Sequence, residues 1–169
     1  MGTLNVSNIN ATGNLNLGGS WTDAPSGTII KVSYGESTTQ MATTAANTYY
    51  NIHSVNHTAL ATNSKYFLTA YCHAWDANTD SRANLGFSVT IGGVTTRIQG
   101  VDGSNGDSWG TVAYPGASLN RSTVYTSTAA AGTVLTFNLM GAGWDTNDTR
   151  FNFAGYNHVS TLTIMEIAT

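Results

Sequence analysis

Residues 85–98 read LGFSVTIGGVTTRI and carry the clearest structural signal in the chain. Four apolar residues alternate with small or polar ones, which is the pattern of a β-strand with one apolar face. These residues are Leu85, Phe87, Val89 and Ile91. Two glycines follow directly, and this placement is typical of a tight hairpin turn. The return strand is therefore predicted to pair Ile91 with Val94 and Phe87 with Ile98.

Similar strand signals recur along the rest of the chain, separated by clusters of turn-forming residues. Residues 65–75 are apolar on both faces, which predicts a central strand. No segment has the period of an amphipathic helix, and many short strands in one domain predict an antiparallel sandwich or barrel. The predicted strands cover residues 28–34, 48–55, 65–75, 85–91, 94–98, 110–114, 122–128, 133–140, 150–155 and 160–167.

Residues 1–20, MGTLNVSNINATGNLNLGGS, have a different pattern. Short apolar pairs alternate with Asn, Thr, Ser and Gly, so the segment is predicted to be a narrow β-ribbon with one apolar face. Such a ribbon is only marginally stable alone in water, and wrapping around identical copies would bury its apolar face. The sequence therefore predicts an intertwined homo-oligomer, with residues 1–23 as the association and attachment segment and residues 24–169 as the folded domain. The predicted interface residues are Leu4, Val6, Ile9, Leu15 and Leu17.

The composition excludes several classes of protein. Only 9% of the 169 residues are charged and only 6 are Lys or Arg, whereas a nucleic-acid-binding surface needs a dense basic patch. No long apolar run predicts a membrane span, and the N-terminus lacks the basic and apolar regions of a signal peptide. The single cysteine, Cys72, excludes an internal disulfide framework and is predicted to be a small buried residue.

Two acidic loops have similar sequences, WDANTDSR at residues 75–82 and WDTNDTR at residues 144–150. Each is predicted to follow a long apolar strand, and equivalent loops of a sandwich lie at the same end. Oxygen ligands at alternate positions suit calcium, although Ser81 and Phe87 replace the Gly and Glu of an EF-hand loop. The alternative is a solvated turn, which Asp and Asn favour. The candidate calcium ligands are Asp76, Asn78, Asp80, Asp145 and Asp148.

Tryptophans beside these acidic residues indicate a second use for the same loops. Aromatic faces stack on sugar rings, and neighbouring polar groups fix the sugar hydroxyls. The alternative is that these aromatic residues belong to the core or to an interface between copies. The candidate ligand-binding residues are Trp75, Asp76, Asn78, Trp144, Asp145 and Asn147.

The sequence contains no catalytic motif, so a non-enzymatic protein is predicted. His53 and His57 lie four residues apart, but a zinc site of that spacing needs a helix or further ligands, so a structural role is expected for them. Nucleophile-elbow, phosphate-loop and dinucleotide-binding motifs are missing from the sequence. The 9 Asp and Glu residues are scattered rather than paired as in a glycosidase. A depolymerase with carboxylates meeting across a trimer interface is the enzymatic alternative.

Residues 26–169 resemble the jelly-roll tip domains of bacteriophage fibre and virion-surface proteins. The resemblance rests on GTII at 27–30, WDANTDSRANLGFSVTIGG at 75–93 and STLTIMEIA at 160–168, and the ribbon is similar to the short β-repeats of phage fibre shafts. The architecture is also similar to the trimeric C1q and tumour-necrosis-factor jelly rolls. The resemblance implies an all-β antiparallel jelly-roll sandwich, assembled as a homotrimer with its closing strand near the three-fold axis.

The resemblance implies a virion-surface protein that binds copies of itself and other virion proteins of the tail or the capsid. Exposed aromatic and acidic loops favour a tail-fibre or fibre-tip protein that contacts a glycan or protein on the host surface. The short chain favours a capsid decoration or head-fibre protein. A secreted C1q-like module is a third interpretation, against which the missing signal peptide and the single cysteine count. No nucleic acid, membrane insertion or cofactor is expected, with calcium as the one candidate ion.

Overall fold

The computed structural model describes residues 24–43, 45–76, 82–99, 110–111, 116–144, 149–153 and 158–169. Every regular element in these residues is a β-strand. The predicted ribbon, with Leu4, Val6, Ile9, Leu15 and Leu17, lies outside them. The strands are β1 (Ile29–Ser37), β2 (Met41–Thr43), β3 (Tyr50–Thr58), β4 (Lys65–Trp75), β5 (Arg82–Ile91), β6 (Val94–Gln99), β7 (Gly110–Thr111), β8 (Ala117–Thr126), β9 (Val134–Gly143), β10 (Thr149–Phe151) and β11 (Ser160–Ile167).

The strands form two antiparallel sheets that pack face to face. The six-stranded sheet has the order β1-β11-β4-β10-β2, with β8 also paired to β4, and the five-stranded sheet has the order β3-β9-β5-β6, with β7 paired to β5. If the eight longer strands are numbered along the chain, their orders in the two sheets are 1-8-3-6 and 2-7-4-5. This is the connectivity of a jelly roll, so the predicted all-β antiparallel jelly-roll sandwich is confirmed.

The core fills the space between the two sheets, because the inward positions of the central strands are apolar. In β4, Tyr66, Leu68 and Cys72 are fully buried and alternate with outward residues such as Phe67. β4 has the predicted bounds and is paired along both edges, by β11 and by β8, as a central strand should be. The other large core side chains are Phe87, Leu135, Phe137, Leu139, Phe151, Leu162 and Ile164.

The β5–β6 hairpin has the predicted glycine turn and the predicted pairing of Ile91 with Val94. Gly92 and Gly93 have positive φ angles of 55° and 83°, and a residue with a side chain adopts this backbone conformation only at a cost in free energy. The predicted pairing of Phe87 with Ile98 is wrong. A register shift between Phe87 and Ser88 places Phe87 opposite Gln99 instead, and single-residue irregularities of this kind leave no mark in the apolar pattern.

Strand bounds differ from the prediction where the apolar pattern is weak. β8 begins at Ala117 rather than at residue 122, because the charged Arg121 occupies an inward position opposite the buried Ala70 and interrupts the apolar alternation. β2 was not predicted, since three residues are too short to show alternation. β10 ends at Phe151, short of the predicted bound at residue 155; residues 154–157 lie outside the described ranges.

Candidate functional site

The residues that border the two acidic loops meet at one end of the sandwich, as the equivalent positions of the loops predict. The backbone N–H of Trp144 donates to the carbonyl of Arg82 at 2.9 Å. The Thr149 hydroxyl donates to Asp76 Oδ2 at 2.8 Å. Each loop is therefore held at one end by a hydrogen bond to a residue that flanks the other loop.

Asp76 is the candidate calcium ligand whose surroundings the structure describes. Its side chain is fully buried, and one oxygen already accepts the hydrogen bond from Thr149. The other calcium candidates, Asn78, Asp80, Asp145 and Asp148, lie outside the described residues, as does the ligand-binding candidate Asn147. Within the described ranges, no group of three His, Cys, Asp or Glu side chains is placed to hold a metal ion.

Trp75 lies at the same end but its ring is largely used by the protein. The ring stacks on Phe153 with a centroid distance of 4.8 Å and an interplanar angle of 11°. The Arg150 guanidinium carbon lies 5.4 Å from the centroid of each of these two rings. Trp75 therefore anchors the cluster, and Phe153 covers one of its faces.

Trp144 is the most exposed of the predicted ligand-binding residues that the structure describes, with 46% of its surface accessible. The guanidinium carbon of Arg82, an exposed residue, lies 5.7 Å from the Trp144 ring centroid. An aromatic face next to a guanidinium offers a surface for stacking together with hydrogen-bond donors. This pair is therefore the part of the predicted loop site that is open to a ligand.

A second surface covers the outer face of the six-stranded sheet, and the sequence did not single it out. One row across four strands is apolar throughout and consists of Val32, Met165, Phe67 and Val124. Of the nine exposed large hydrophobic residues among those described, five lie on this face: Ile29, Val32, Tyr34, Tyr71 and Val124. Its charge comes from Glu36, Lys65 and Arg150. An exposed apolar patch of this kind marks an interaction surface.

The outer face of the five-stranded sheet is polar by contrast. The Ser54 hydroxyl donates to Asn138 Oδ1 at 2.7 Å, and Asn138 Nδ2 donates to Ser88 Oγ at 3.0 Å. In the next row the Thr136 hydroxyl donates to Asn56 Oδ1 at 2.8 Å. These cross-strand side chains satisfy one another, Asn138 and Ser88 at buried positions and Ser54 and Asn56 at exposed ones. The two outer faces of the sandwich therefore differ in chemistry.

A buried polar network lies inside the sandwich, around Glu166 of β11. Glu166 Oε2 lies 2.8 Å from His57 Nε2, and the two side chains are 0% and 1% exposed. Glu166 also accepts hydrogen bonds from the backbone of Leu60 and Ala61 and from the Ser64 hydroxyl. Burial raises the pKa of the Glu166 carboxyl, but the hydrogen bonds from these groups lower it by a larger amount. The net result is a pKa of about 2.

The sequence predicts a structural role for His57 but not its partner Glu166. Because Glu166 is ionised, His57 Nε2–H donates to it, and His57 Nδ1 is hydrogen-bonded to the Ser33 hydroxyl at 2.9 Å. Ser33, His57 and Glu166 are linked in the order of a hydrolase triad, but both His57 and Glu166 are sealed in the core. A signal was present in the sequence, since Glu166 shares the inward alternation of Leu162 and Ile164.

No protein-family model matches the chain, and no curated protein sequence matches it. The fold is similar to the CBM22-1 xylan-binding domain of Paenibacillus barcinonensis Xyn10C, with a TM-score of 0.39 and 14% identity over 86% of this chain and 99% of that domain. It is similar to the tripod of the bacteriophage Tuc2009 baseplate, with a TM-score of 0.41 and 13% identity over 100% of this chain and 82% of that chain.

The fold is also similar to a chain of the infectious bursal disease virus Gx strain, with a TM-score of 0.43 and 11% identity over 82% of this chain. The match covers 37% of that viral chain, so it spans well under half of its length. Likenesses at these scores assign the chain to no family and to no function. Separately, none of the described residues forms a helix with the length and apolar character that crossing a membrane requires.

Proposed function

We propose that this chain is a non-enzymatic virion-surface protein that works as a homotrimer, as a tail-fibre or fibre-tip protein that contacts the host surface. The observation that carries the proposal is the apolar outer face of the six-stranded sheet. A solvated antiparallel sheet normally presents polar residues to water, as β3 of the five-stranded sheet does with its exposed Asn51, Ser54 and Asn56. The face around Val32 and Val124 instead has the composition of a contact surface.

A second copy of the same chain is the proposed occupant of this face. Residues 1–23, predicted to associate with copies of themselves, join the folded domain at Ala24. The Gly27 N–H donates to the Ala168 carbonyl at 2.9 Å, so this junction lies beside the end of β11. β11 runs through the middle of the apolar face. Association through the ribbon would therefore bring the same end of this face together in each copy, and apolar burial would drive the contact.

Two matched substitutions test this interface. Val124 is 57% exposed on the apolar face, and Val134 is 50% exposed on the five-stranded sheet. Val124→Glu should dissociate the trimer, because a buried carboxylate without a partner is strongly disfavoured, whereas Val134→Glu should leave it intact. Sedimentation velocity reports the assembly, and far-UV circular dichroism checks that both variants fold. Two variants with the same assembly state, whether trimeric or monomeric, would refute this use of the face.

Host contact is proposed at the exposed Trp144 beside Arg82. Trp144→Ala should abolish adsorption to host cells while the protein stays trimeric, since the stacking surface is lost and the sheets are untouched. Val94→Ala is the matched control, because Val94 is 69% exposed and follows the turn at the opposite end of β5. Unchanged adsorption of the Trp144 variant would remove this residue from the contact site.

Capsid decoration is the alternative function, and the apolar face suits it equally well if a capsid protein covers that face. Electron microscopy of intact virions labelled with an antibody against this chain separates the two. Label at the distal tail or fibre ends would support the fibre-tip function. Label spread over the capsid would establish decoration, and absence of label would refute both.

A further inference from the structure

At one edge of the sandwich, the gap between β1 and β3 is filled by polar side chains rather than by apolar ones. Two histidines of β3, His53 and His57, both reach across this gap. Their partners are Ser33 of β1 and Ser160 and Glu166 of β11. We call these five residues the histidine seam.

One half of the histidine seam is deeply buried. His57 bridges Ser33 at 2.9 Å and Glu166 at 2.8 Å, which ties β3 to β1, the edge strand of the opposite sheet, and to its neighbour β11. Beyond it, Lys31 Nζ donates to the carbonyl of Thr58 at 2.6 Å. In this half the Glu166 carboxylate accepts hydrogen bonds from Leu60, Ala61 and Ser64 as well as from His57.

The other half of the histidine seam is less protected. His53 is half-buried and its Nδ1 lies 3.2 Å from Ser160 Oγ. Its Nε2 is enclosed beside the Gly35 backbone without reaching hydrogen-bond geometry. The two strands approach so closely here that a Cβ on Gly35 would lie 2.5 Å from Val55 Cγ2. A proton added to His53 Nε2 would therefore meet a narrow, partly desolvated space.

We propose that the histidine seam is an acid-sensitive closure, in which protonation of His53 favours a state with β1 and β11 separated from β3. The positive charge would have to remain in a space lined by Gly35 and Val55, and opening lets water reach it. Once the seam opens, the buried His57–Glu166 contact is hydrated as well. Because residues 1–23 join the domain through β1, acid would loosen the part of the sandwich that carries them.

The other titratable groups around the histidine seam do not supply this response. Tyr66 of β4 lies edge-on to His57 with a centroid distance of 5.4 Å, and burial raises its pKa to about 12. Tyr125 of β8 stacks on Tyr66. The Cys72 thiol donates to Asn152 Oδ1, and Asn152 Nδ2 donates in turn to Ser160 Oγ. Burial raises the pKa of Cys72 to about 12. Lys31 adds a further positive charge at the same gap.

The sign of the response follows from His53 itself. Burial lowers the pKa of His53 from its ordinary value of 6.5, more than the Gly35 backbone raises it. The closed state therefore binds this proton more weakly than the open state does. The contribution of His53 to the stability of the closed state is therefore complete above pH 6.5, the ordinary pKa. It is lost as the pH falls through the lowered pKa that His53 has in the closed state. Glu166, with a pKa of about 2, stays ionised across that window.

Hydrogen exchange of the full chain, followed by mass spectrometry, tests the proposal. Between about pH 7.5 and about pH 5.5, peptides from β1 and β3 should lose protection by at least about threefold after correction for the intrinsic exchange rate. Peptides from β5, which lies away from the seam, should keep theirs. An unchanged β1, or an equal loss in all three strands, would overturn the proposal without any variant being needed.

Two histidine variants sharpen the test. His53→Gln should abolish the acid response of β1, because glutamine does not titrate. His73→Gln is the matched control and should preserve the response, since His73 stacks on His158 at 3.6 Å and does not belong to the seam. A response that survives in His53→Gln, or that disappears in His73→Gln, would overturn the assignment to His53.

Discussion

Replacing Glu166 by Gln tests the electrostatic description of the core most sharply. The substitution keeps the size of the side chain but removes the charge that His57, Ser64 and the two backbone N–H groups stabilise. Four donors converge on the two carboxylate oxygens of Glu166, so the NH2 group of a glutamine at this position must face at least one of those donors. Glu166→Gln therefore imitates the permanently protonated carboxyl.

The magnitude follows from the lowered pKa. The pKa of Glu166 falls from 4.5 to about 2 on folding, which is worth about 3 kcal/mol of stability at neutral pH. Because the folded pKa is below the unfolded one, this contribution is present above pH 4.5 and is lost as the pH falls towards 2. Glu166→Gln should lower the free energy of unfolding by about 3 kcal/mol at pH 7. The difference from the wild type should shrink towards zero near pH 2.

The assay is urea unfolding followed by tryptophan fluorescence at several pH values, with one fixed protein concentration because association contributes to stability. Asn56→Asp is the control, since it exchanges an amide for a carboxyl at an exposed position of β3, away from the proposed contact face, where Asn56 Oδ1 accepts from the Thr136 hydroxyl. The control should follow the wild type at every pH within about 0.5 kcal/mol. A Glu166→Gln deficit that stays constant from pH 7 to pH 2 would show that shape, and not charge, is responsible, and would refute the reasoning.

Three further predictions concern packing and ions. Asn152 has a φ of 55°, and its Nδ2 donates to Ser160 Oγ at 2.9 Å and to two backbone carbonyls. Asn152→Ala should therefore lower the free energy of unfolding in urea by about 2 to 3 kcal/mol, and a change near zero would contradict this. A Cβ on Gly141 would lie 2.7 Å from the Phe151 ring, so Gly141→Ala should cost about 1 to 3 kcal/mol in the same assay. Adding Phe151→Leu should recover part of that loss, and a simple sum of the two losses would argue against the clash. Millimolar calcium should leave the melting temperature unchanged, because the buried Asp76 already accepts a hydrogen bond; a rise of several degrees would contradict this account.

The fold could be predicted because its longest strands carry strong patterns. β4 and β11 have the predicted bounds, since Leu68, Leu162 and Ile164 repeat with a period of two between turn-forming residues. The register of β6 against β5 could not be predicted. The irregularity at Phe87 depends on how the two sheets close around this ring, which is a tertiary effect.

The candidate site was predictable only in its outline. The similar sequences of the two loops placed Trp75 and Trp144 at the same end, and the structure brings the flanking residues together there. The sequence could not distinguish the ring that stacks on Phe153 from the ring that stays exposed. Whether an aromatic side chain near a loop is covered depends on contacts made far along the chain.

The sequence predicted neither the apolar outer face nor the histidine seam, and for the same physical reason. The alternation in residues 28–34 gives Val32 and Tyr34 a common face of β1, and in the structure that face points to solvent. A period of two identifies which residues share a face, without identifying which face is inside. The inward face of β1 instead presents Lys31 and Ser33, which meet the histidine-bearing strand β3.

Sedimentation equilibrium of the full chain over a wide range of concentrations tests the central claim most directly. A homotrimer should sediment as a single species of three times the 17.8 kDa chain mass. A species that remains at 17.8 kDa at the highest concentration would contradict it, because the apolar face around Val124 would then be exposed to water in the functional protein.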